Sequence, residues 1–348
     1  SYMCFKKKIK EEYPKLYKNR QLPSTQPTQA QKAKFDNWYG MFIHFGINTF
    51  NNTEWSNGKL PLSSYAPTGI DTDQWARVAY QAGMHYVILI IKHHDGFCLW
   101  DTDTTDYCVK NTSCKTDVVD AMAKSCKKYG IKLGLYYSLW DRHEKCYKRH
   151  GDYVGYMETH LRELFDGKYG EVCELWLDGG WDKACEKWQL DRLYDLVKTL
   201  QPNCQVGVNL TIGDFNGKKG FVQERYKPYN QQEGDTMRMF PSDFRLWDPQ
   251  MCREDDPKLF TFKGEKYYLP FEHTVCSRKE GKWFFNDEYE EKTTLLDVDD
   301  VVERIRIIRA TNNSIVINLP PDKSGRLVKG DVENLYAIAQ KVGIYREG

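Results

Sequence analysis

Residues 174–181, ELWLDGGW, and residues 86–97, YVILIIKHHDGF, each carry an apolar strand-like run that ends in ionisable residues. In both segments glycine follows the ionisable residues, and an aromatic residue follows the glycine. Parallel (β/α) barrels build their active sites in this way, at the carboxyl ends of buried strands. Both segments therefore predict an α/β fold whose chemistry lies at one end of a parallel sheet.

Strand-like and helix-like segments alternate along the rest of the chain. Strands are predicted over 41–46, 86–92, 131–138, 172–178, 205–210, 245–247, 267–273 and 314–319. Helices are predicted over 73–82, 117–129, 153–165, 188–200, 298–310 and 331–342. This alternation predicts a (β/α)8-like TIM barrel with irregular sixth and seventh units. We expect residues 1–348 to form one catalytic barrel domain, with 1–34 as a helical or irregular lead-in.

Composition excludes several classes of partner. The net charge is +1 and the longest basic run is Lys6 to Lys8, so nucleic acid and anionic membrane surfaces are not expected partners. No apolar run approaches the roughly 20 residues of a membrane-spanning helix, so membrane insertion is not expected. The 11 cysteines include no C-x-x-C pair, which gives zinc-ribbon and thioredoxin sites no support. Oligomeric state is left open.

Side-chain direction alternates along a strand, and this sorts the residues of the predicted barrel. Leu175 and Leu177 suit packing on outer helices, so Trp176 and Asp178 are predicted to point into the barrel mouth. The same logic directs Tyr136 inward. From spacing alone, a turn or capping carboxylate is an equally good interpretation of Asp178.

Three histidines, His44, His93 and His94, fall at two predicted strand ends, and together they favour a polar pocket over buried core positions. Imidazoles there could hydrogen-bond the hydroxyls of a ligand. A metal site is not predicted, because adjacent strand residues point in opposite directions and no H-x-H or H-E-x-x-H spacing occurs. No cofactor is expected.

Carboxylates among Trp side chains suit sugar chemistry, since aromatic faces stack on sugar C–H surfaces and glycoside hydrolysis uses two carboxyl groups. The second carboxylate is not determined by spacing. Glu272 ends the predicted strand 267–273, and Glu54 follows the first strand; either could also be an ordinary loop residue.

Several segments together resemble the α-L-fucosidases of glycoside hydrolase family 29, in the expected order over roughly residues 35–345. They are GMFIHFG at 40–46, KHHDGFCLW at 92–100, GLYYS at 134–138, LWLDGGW at 175–181 and NLPPDKSGR at 318–326. The resemblance implies a retaining exo-glycosidase that removes terminal α-L-fucose from oligosaccharides or glycoprotein glycans, with Asp178 as the nucleophile. It also implies a fucose pocket lined by His44, Glu54, Trp55, His93, His94, Tyr136 and Trp176.

The segment 268–285 looks like the branch of the family that acts on α1,3- and α1,4-linked fucose. In that branch Glu272 matches the acid/base, and Arg278 and Trp283 are expected to contact the sugar. Many relatives carry a β-sandwich after the barrel. This sequence contains none up to Gly348, so either it has been trimmed or this branch is minimal. Family resemblance suggests a secreted, periplasmic or lysosome-like location, although no signal peptide is visible before Ser1.

Two other classes of function compete with this interpretation. One is a non-catalytic fucose-binding barrel, against which the presence of both Asp178 and Glu272 argues. The other is a metal-dependent hydrolase on the same barrel, which sensitivity to a chelator would reveal.

Overall fold

The structure is a computed structural model that describes residues 20–213 and 230–348. The strands within those ranges are, in chain order, β1 (Tyr39–Ile43), β2 (Tyr86–Lys92), β3 (Lys132–Ser138), β4 (Val172–Asp178), β5 (Gln205–Asn209), β6 (Phe244–Leu246), β7 (Leu259–Phe262), β8 (Glu265–Tyr268), β9 (Glu272–Cys276) and β10 (Ser314–Asn318).

Eight of these strands form one parallel sheet in the order β6, β5, β4, β3, β2, β1, β10, β9. Its two edges meet at a parallel bridge between Arg245 and Phe271, where the Arg245 amide donates to the Pro270 carbonyl over 2.7 Å. The sheet therefore curls into a nearly closed (β/α)8 barrel, which confirms the predicted fold class.

Helices pack around this barrel. They are α1 (Gln29–Asp36), α2 (Thr72–Gln81), α3 (Val118–Tyr129), α4 (His150–Phe165), α5 (Leu190–Leu200), α6 (Tyr289–Lys292), α7 (Val298–Ala310) and α8 (Lys329–Val342). The six helices predicted from periodicity are all present. In α3, for example, Asp117 accepts from the Asp120 amide over 2.9 Å, and Gly130 ends the helix with φ +68°.

The barrel interior is filled by side chains from alternate strand positions. All seven residues of β2 are buried, as expected for a central parallel strand. Gly40 on β1 makes room for Tyr86 on β2, since a Cβ at Gly40 would lie 2.8 Å from the Tyr86 ring. The interior is therefore packed, and open space is left at the carboxyl ends of the strands.

The sixth unit is irregular, as predicted, but the strand predicted over 267–273 is wrong. An antiparallel hairpin of β7 and β8 follows β6 and ends at Tyr268. Pro270, which cannot donate to a sheet ladder, lies between this hairpin and the next barrel strand. The next barrel strand, β9, begins at Glu272, which lies opposite Ser314 at the start of β10. Glu272 thus begins a barrel strand and does not end one.

The predicted N-terminal lead-in is described only in part. Residues 1–19 lie outside the described ranges, and α1 begins after Thr28, whose side chain caps it. None of the helices in the described part of the chain has the length and apolar character needed to cross a membrane.

Candidate active site

A cavity of about 510 Å³ opens at the carboxyl ends of the barrel strands. Phe, Tyr and Trp make up nearly half of its lining residues, and imidazole, amide and carboxyl groups lie among these rings. The lining residues are Phe42, His44, Trp55, His93, His94, Tyr136, Trp176, Asp178, Trp181, Asn209, Leu210, Trp247, Asp248, Thr274 and Trp283. The predicted inward direction of Tyr136, Trp176 and Asp178 is confirmed.

Asp178, the last residue of β4, has both carboxylate oxygens held by donors from neighbouring strands. The Tyr136 hydroxyl donates to Oδ2 over 2.6 Å, and the Asn209 side-chain amide donates to Oδ1 over 3.0 Å. Burial raises the pKa of Asp178 above its usual value, and these hydrogen bonds offset part of that rise. The carboxylate is therefore fixed in direction and supported in its ionised form, as a nucleophile requires.

The cavity histidines are neutral. Burial and the neighbouring His93 hold the pKa of His44 well below its usual range, and burial with His94 does the same for His93. Burial, followed by the Lys92 ammonium, lowers the pKa of His94 to about 3. A neutral imidazole offers one donor and one acceptor, which suits recognition of sugar hydroxyls.

His93 and His94 both enter the cavity, although adjacent strand residues were expected to diverge. Pairing between β2 and β3 shifts register between Ile90 and Lys92, so the strand end is irregular. The two imidazole centroids lie 4.2 Å apart. Ligand atoms of His93, His94 and Asp178 lie within 4.8 Å of one another, so a metal ion could be held there.

His94 is locked by a short chain of hydrogen bonds. Ser138 Oγ donates to the Trp140 carbonyl over 2.7 Å, so it accepts from His94 Nδ1 over 2.6 Å. His94 Nε2 then carries the lone pair and lies 3.7 Å from Asp178 Oδ2. An acceptor nitrogen therefore sits beside the carboxylate.

Trp55 stands at the rim of the cavity with 52% of its surface exposed. Its ring stacks on Trp181 at 5.9 Å and 14°, and its edge contacts His94 at 5.1 Å. An exposed aromatic pair beside a carboxylate suits a sugar ligand.

Glu54 was predicted to line the pocket, but its carboxylate is used elsewhere. Its oxygens accept from the backbone amides of Trp283 and Phe284 over 2.7 and 2.9 Å. Glu54 therefore anchors the loop after β9, and the loop supplies Trp283 to the cavity wall.

Arg278 does not reach the cavity. It is buried, and its Nε donates to Asp331 Oδ1 over 2.7 Å. The pair joins the segment after β9 to the first turn of α8, so the predicted sugar contact is replaced by a structural one.

Glu272 lies at the opposite end of the barrel from Asp178. Its Oε2 accepts from Lys34 Nζ over 2.6 Å and from the Tyr86 hydroxyl over 2.7 Å. Lys34 also contacts Glu174, which precedes Asp178 by four residues on β4, or about 13 Å along a strand. The two carboxyl groups of a retaining glycosidase lie about 5–5.5 Å apart. Glu272 is therefore too far from Asp178 for the predicted acid/base role.

Asn209 and Asp248 were missed by sequence reasoning. The Asn209 amide donates to Asp248 as well as to Asp178. Burial and then the Asp178 carboxylate raise the pKa of Asp248 to about 7. Asn209 ends β5 and Asp248 follows β6, so the rule of polar residues at strand ends could have found them.

Comparisons with known proteins identify relatives of this chain. A family model described as Alpha-L-fucosidase matches residues 8–347. Alpha-L-fucosidase 1 of Arabidopsis thaliana is 34% identical over 90% of this chain and 59% of its own length. Tissue alpha-L-fucosidase of Mus musculus is 25% identical over 92% of this chain and 70% of that protein. The chain thus spans about three fifths of the plant relative.

Solved structures show the same fold. A glycoside hydrolase 29 family member from an unknown rumen bacterium has a TM-score of 0.71 and 25% identity, covering 93% of this chain and 58% of that one. A GH29 alpha-L-fucosidase from Bacteroides thetaiotaomicron, trapped as a covalent intermediate with 2-fluoro-fucosyl fluoride, has a TM-score of 0.70 and 23% identity, covering 94% and 78%.

Proposed function

The chain belongs to the α-L-fucosidase family, and on that premise we propose that it hydrolyses terminal α-L-fucose from oligosaccharides or glycoprotein glycans with retention at C1. The main support is Asp178, a carboxylate held by Tyr136 and Asn209 at the edge of an aromatic cavity. Fucose carries a methyl group where other hexoses carry a 6-hydroxyl, and an aromatic wall favours that methyl.

The reaction proceeds in two displacements. Asp178 attacks C1 of fucose and forms a glycosyl-enzyme while a general acid protonates the departing oxygen. The same acid group, now a base, removes a proton from the water that releases fucose. The neutral imidazoles of His44 and His94 accept hydrogen bonds from hydroxyls of the sugar and hold it against Asp178.

The general acid must be a carboxyl group close to Asp178. Among residues 20–213 and 230–348, Asp248 is the second carboxyl that lines the cavity, and its pKa near 7 suits a proton donor. The sequence between β5 and β6 also carries Asp214 and Glu224, which lie outside the described ranges. A test with good and poor leaving groups shows which of Asp248, Asp214 and Glu224 is the general acid.

Chemical rescue tests the nucleophile. Asp178→Gly should lose hydrolysis while remaining folded, and azide should restore turnover and release fucosyl azide of inverted configuration. Asp182→Gly is the matched control, because Asp182 lies outside the cavity and accepts from the Tyr147 hydroxyl over 2.7 Å. Near-normal turnover by Asp178→Gly without azide would overturn the assignment.

The acid is identified by comparing an aryl fucoside, which needs little protonation, with a fucosylated oligosaccharide. The variants are Asp248→Asn, Asp214→Asn and Glu224→Gln, with Glu272→Gln as the control from the far end of the barrel. The acid variant should lose oligosaccharide cleavage about 10²–10⁴-fold more than aryl release. If none of the three separates the two substrates, the acid is another group.

Linkage is the finer part of the proposal. The resemblance of segment 268–285 to the α1,3/α1,4 branch supports those linkages, although Glu272 no longer contributes to that argument. A panel of α1,2-, α1,3-, α1,4- and α1,6-fucosylated oligosaccharides tests it, and a preference for α1,2 or α1,6 would contradict it.

A secreted, periplasmic or lysosome-like location stays a prediction. The ten cysteines within the described ranges form no disulfide, so they add no support to it.

Metal-dependent hydrolysis is the second candidate, because ligand atoms of His93, His94 and Asp178 converge. Treating the enzyme with a chelator and then adding back a divalent ion distinguishes metal-dependent hydrolysis from displacement by Asp178. Turnover that vanishes and is restored by the ion would favour the metal.

A further inference from the structure

His44 and Asn318 meet across two neighbouring barrel strands. Asn318 is the last residue of β10, opposite Phe42 on β1, and His44 follows the end of β1. His44 Nδ1 and Asn318 Oδ1 lie 2.7 Å apart, and both side chains are buried. The Asn318 amide therefore sits beside the ring of a cavity residue without lining the cavity itself.

The hydrogen bond made by the NH2 group of Asn318 determines the orientation of the side-chain amide. Nδ2 donates to the backbone carbonyl of Trp283 over 2.9 Å. A carbonyl oxygen only accepts, so the atom facing it must be the amide NH2 group. Oδ1 then faces His44, and since it also only accepts, His44 Nδ1 must carry the proton.

A neutral imidazole carries one proton, so His44 Nε2 is left with a lone pair. Burial and His93 keep the pKa of His44 well below its usual range, which maintains the neutral form. The titratable groups whose rings face His44 are His93 at 5.8 Å and Tyr136 at 5.5 Å. The remaining ring neighbours, Phe42, Trp283 and Phe284, carry no charge.

The Trp283 carbonyl is itself held in place from the other side. Glu54 accepts from the amides of Trp283 and Phe284, so their loop is clamped between Glu54 and Asn318. The Phe284 ring stands edge-on to His44 at 5.2 Å and 88°. Asn318 is therefore prevented from rotating by a loop that is anchored at two points.

We propose that Asn318 is a positioning residue that holds His44 in its Nδ1–H tautomer, so that Nε2 accepts a hydrogen bond from one hydroxyl of the bound sugar. This deepens the proposed function and rests on it for the identity of the sugar. It adds a specificity rule: at that position the ligand must donate, so a hydroxyl fits, whereas hydrogen or fluorine does not.

Nitrogen-15 NMR of histidine-labelled protein tests the tautomer without substrate, and His44→Gln identifies the resonances. His44 Nδ1 should be pyrrole-like and Nε2 pyridine-like across neutral pH. A protonated Nε2 in the unsubstituted protein would overturn the proposal. Because no turnover is needed, this outcome is distinguishable from a failure of the proposed fucosidase activity.

Asn318→Asp replaces the side-chain amide that contacts His44 with a carboxylate of nearly the same shape. The carboxylate should raise the pKa of His44 toward the neutral range, so Nε2 gains a proton and can no longer accept. Asn334→Asp is the matched control, since Asn334 also donates to a carbonyl, that of Leu296 over 3.0 Å, but on α8. The His44 resonances should move in Asn318→Asp and stay in Asn334→Asp; equal behaviour of the two variants would overturn the proposal.

Singly deoxygenated and singly fluorinated aryl fucosides connect the tautomer to the sugar. One position should cost the unsubstituted protein about tenfold in kcat/KM, the value of one hydrogen bond of about 1.4 kcal/mol. Asn318→Asp should lose that discrimination at the same position, whereas Asn334→Asp should retain it. Discrimination that survives unchanged in Asn318→Asp would refute the role.

Discussion

Removing the Tyr136 hydroxyl isolates one hydrogen bond that keeps the proposed nucleophile ionised. The hydroxyl donates to Asp178 Oδ2 over 2.6 Å, and the two residues are only 1% and 8% exposed. Burial raises the pKa of Asp178, whereas this hydrogen bond lowers it. A hydrogen bond to a charged group contributes about 1.5–3 kcal/mol, and one pKa unit corresponds to about 1.4 kcal/mol. Tyr136→Phe should therefore raise the pKa of Asp178 by about one to two units.

The pH dependence of turnover reports this shift directly. Only ionised Asp178 attacks C1, so activity is lost as the pH falls through its pKa. A higher pKa moves the acidic limb of the kcat/KM profile toward higher pH by about the same one to two units. A nitrophenyl fucoside is the right substrate, because its leaving group needs little protonation and the general acid then contributes little to the profile.

Tyr137→Phe is the matched control for this measurement. Tyr137 is the next residue on β3 and equally buried, but its hydroxyl contacts His160 Nδ1 over 2.7 Å, away from the cavity. It should leave the acidic limb in place. An acidic limb that stays unchanged in Tyr136→Phe, or that moves equally in both variants, would refute the reasoning.

Four further perturbations distinguish residues that act in catalysis from residues that stabilise the fold. Lys34→Met should lower the free energy of unfolding in urea by about 3–5 kcal/mol, because it leaves buried carboxyls without their cation; the exposed Lys127→Met should change it little. Glu272→Gln should retain turnover in the folded protein on aryl and natural substrates alike, and loss of turnover would return Glu272 to the site. Arg278→Met should destabilise the fold but leave KM unchanged, since the guanidinium binds Asp331. Chelation should leave turnover unchanged if His93 recognises hydroxyls; a loss that zinc restores would contradict this.

Strand periodicity predicted the direction of the cavity residues correctly. Tyr136, Trp176 and Asp178 point inward because side chains alternate with a period of two along a strand. That rule needs only the local sequence, and it holds wherever a strand is regular. It failed to foresee that His93 and His94 share the cavity, because a register shift against β3 makes the end of β2 irregular.

Glu272 shows that strand periodicity does not determine at which end of the barrel a residue lies. An apolar run with an acidic residue near its end looks the same whether the residue begins a barrel strand or ends one. The difference depends on the hairpin of β7 and β8, which takes up Tyr267 and Tyr268 before the chain enters β9. The hairpin itself is local, with its turn at Lys263 and Gly264. The register that places Glu272 opposite Ser314 joins β9 to a distant strand, and a window of sequence does not contain that pairing.

The sequence by itself determined the alternating barrel, the inward strand faces and the residues that end β1 to β4, because these depend on local periodicity and on strand termini. Tertiary structure decided which groups meet. The bonds from Asn209 to Asp178 and Asp248, from Glu54 to the loop of Trp283, and from Asn318 to that loop join segments separated by 31 to 230 residues. Hydrogen bonds of this kind depend on where the closed barrel places each strand end, and no local pattern encodes that distance.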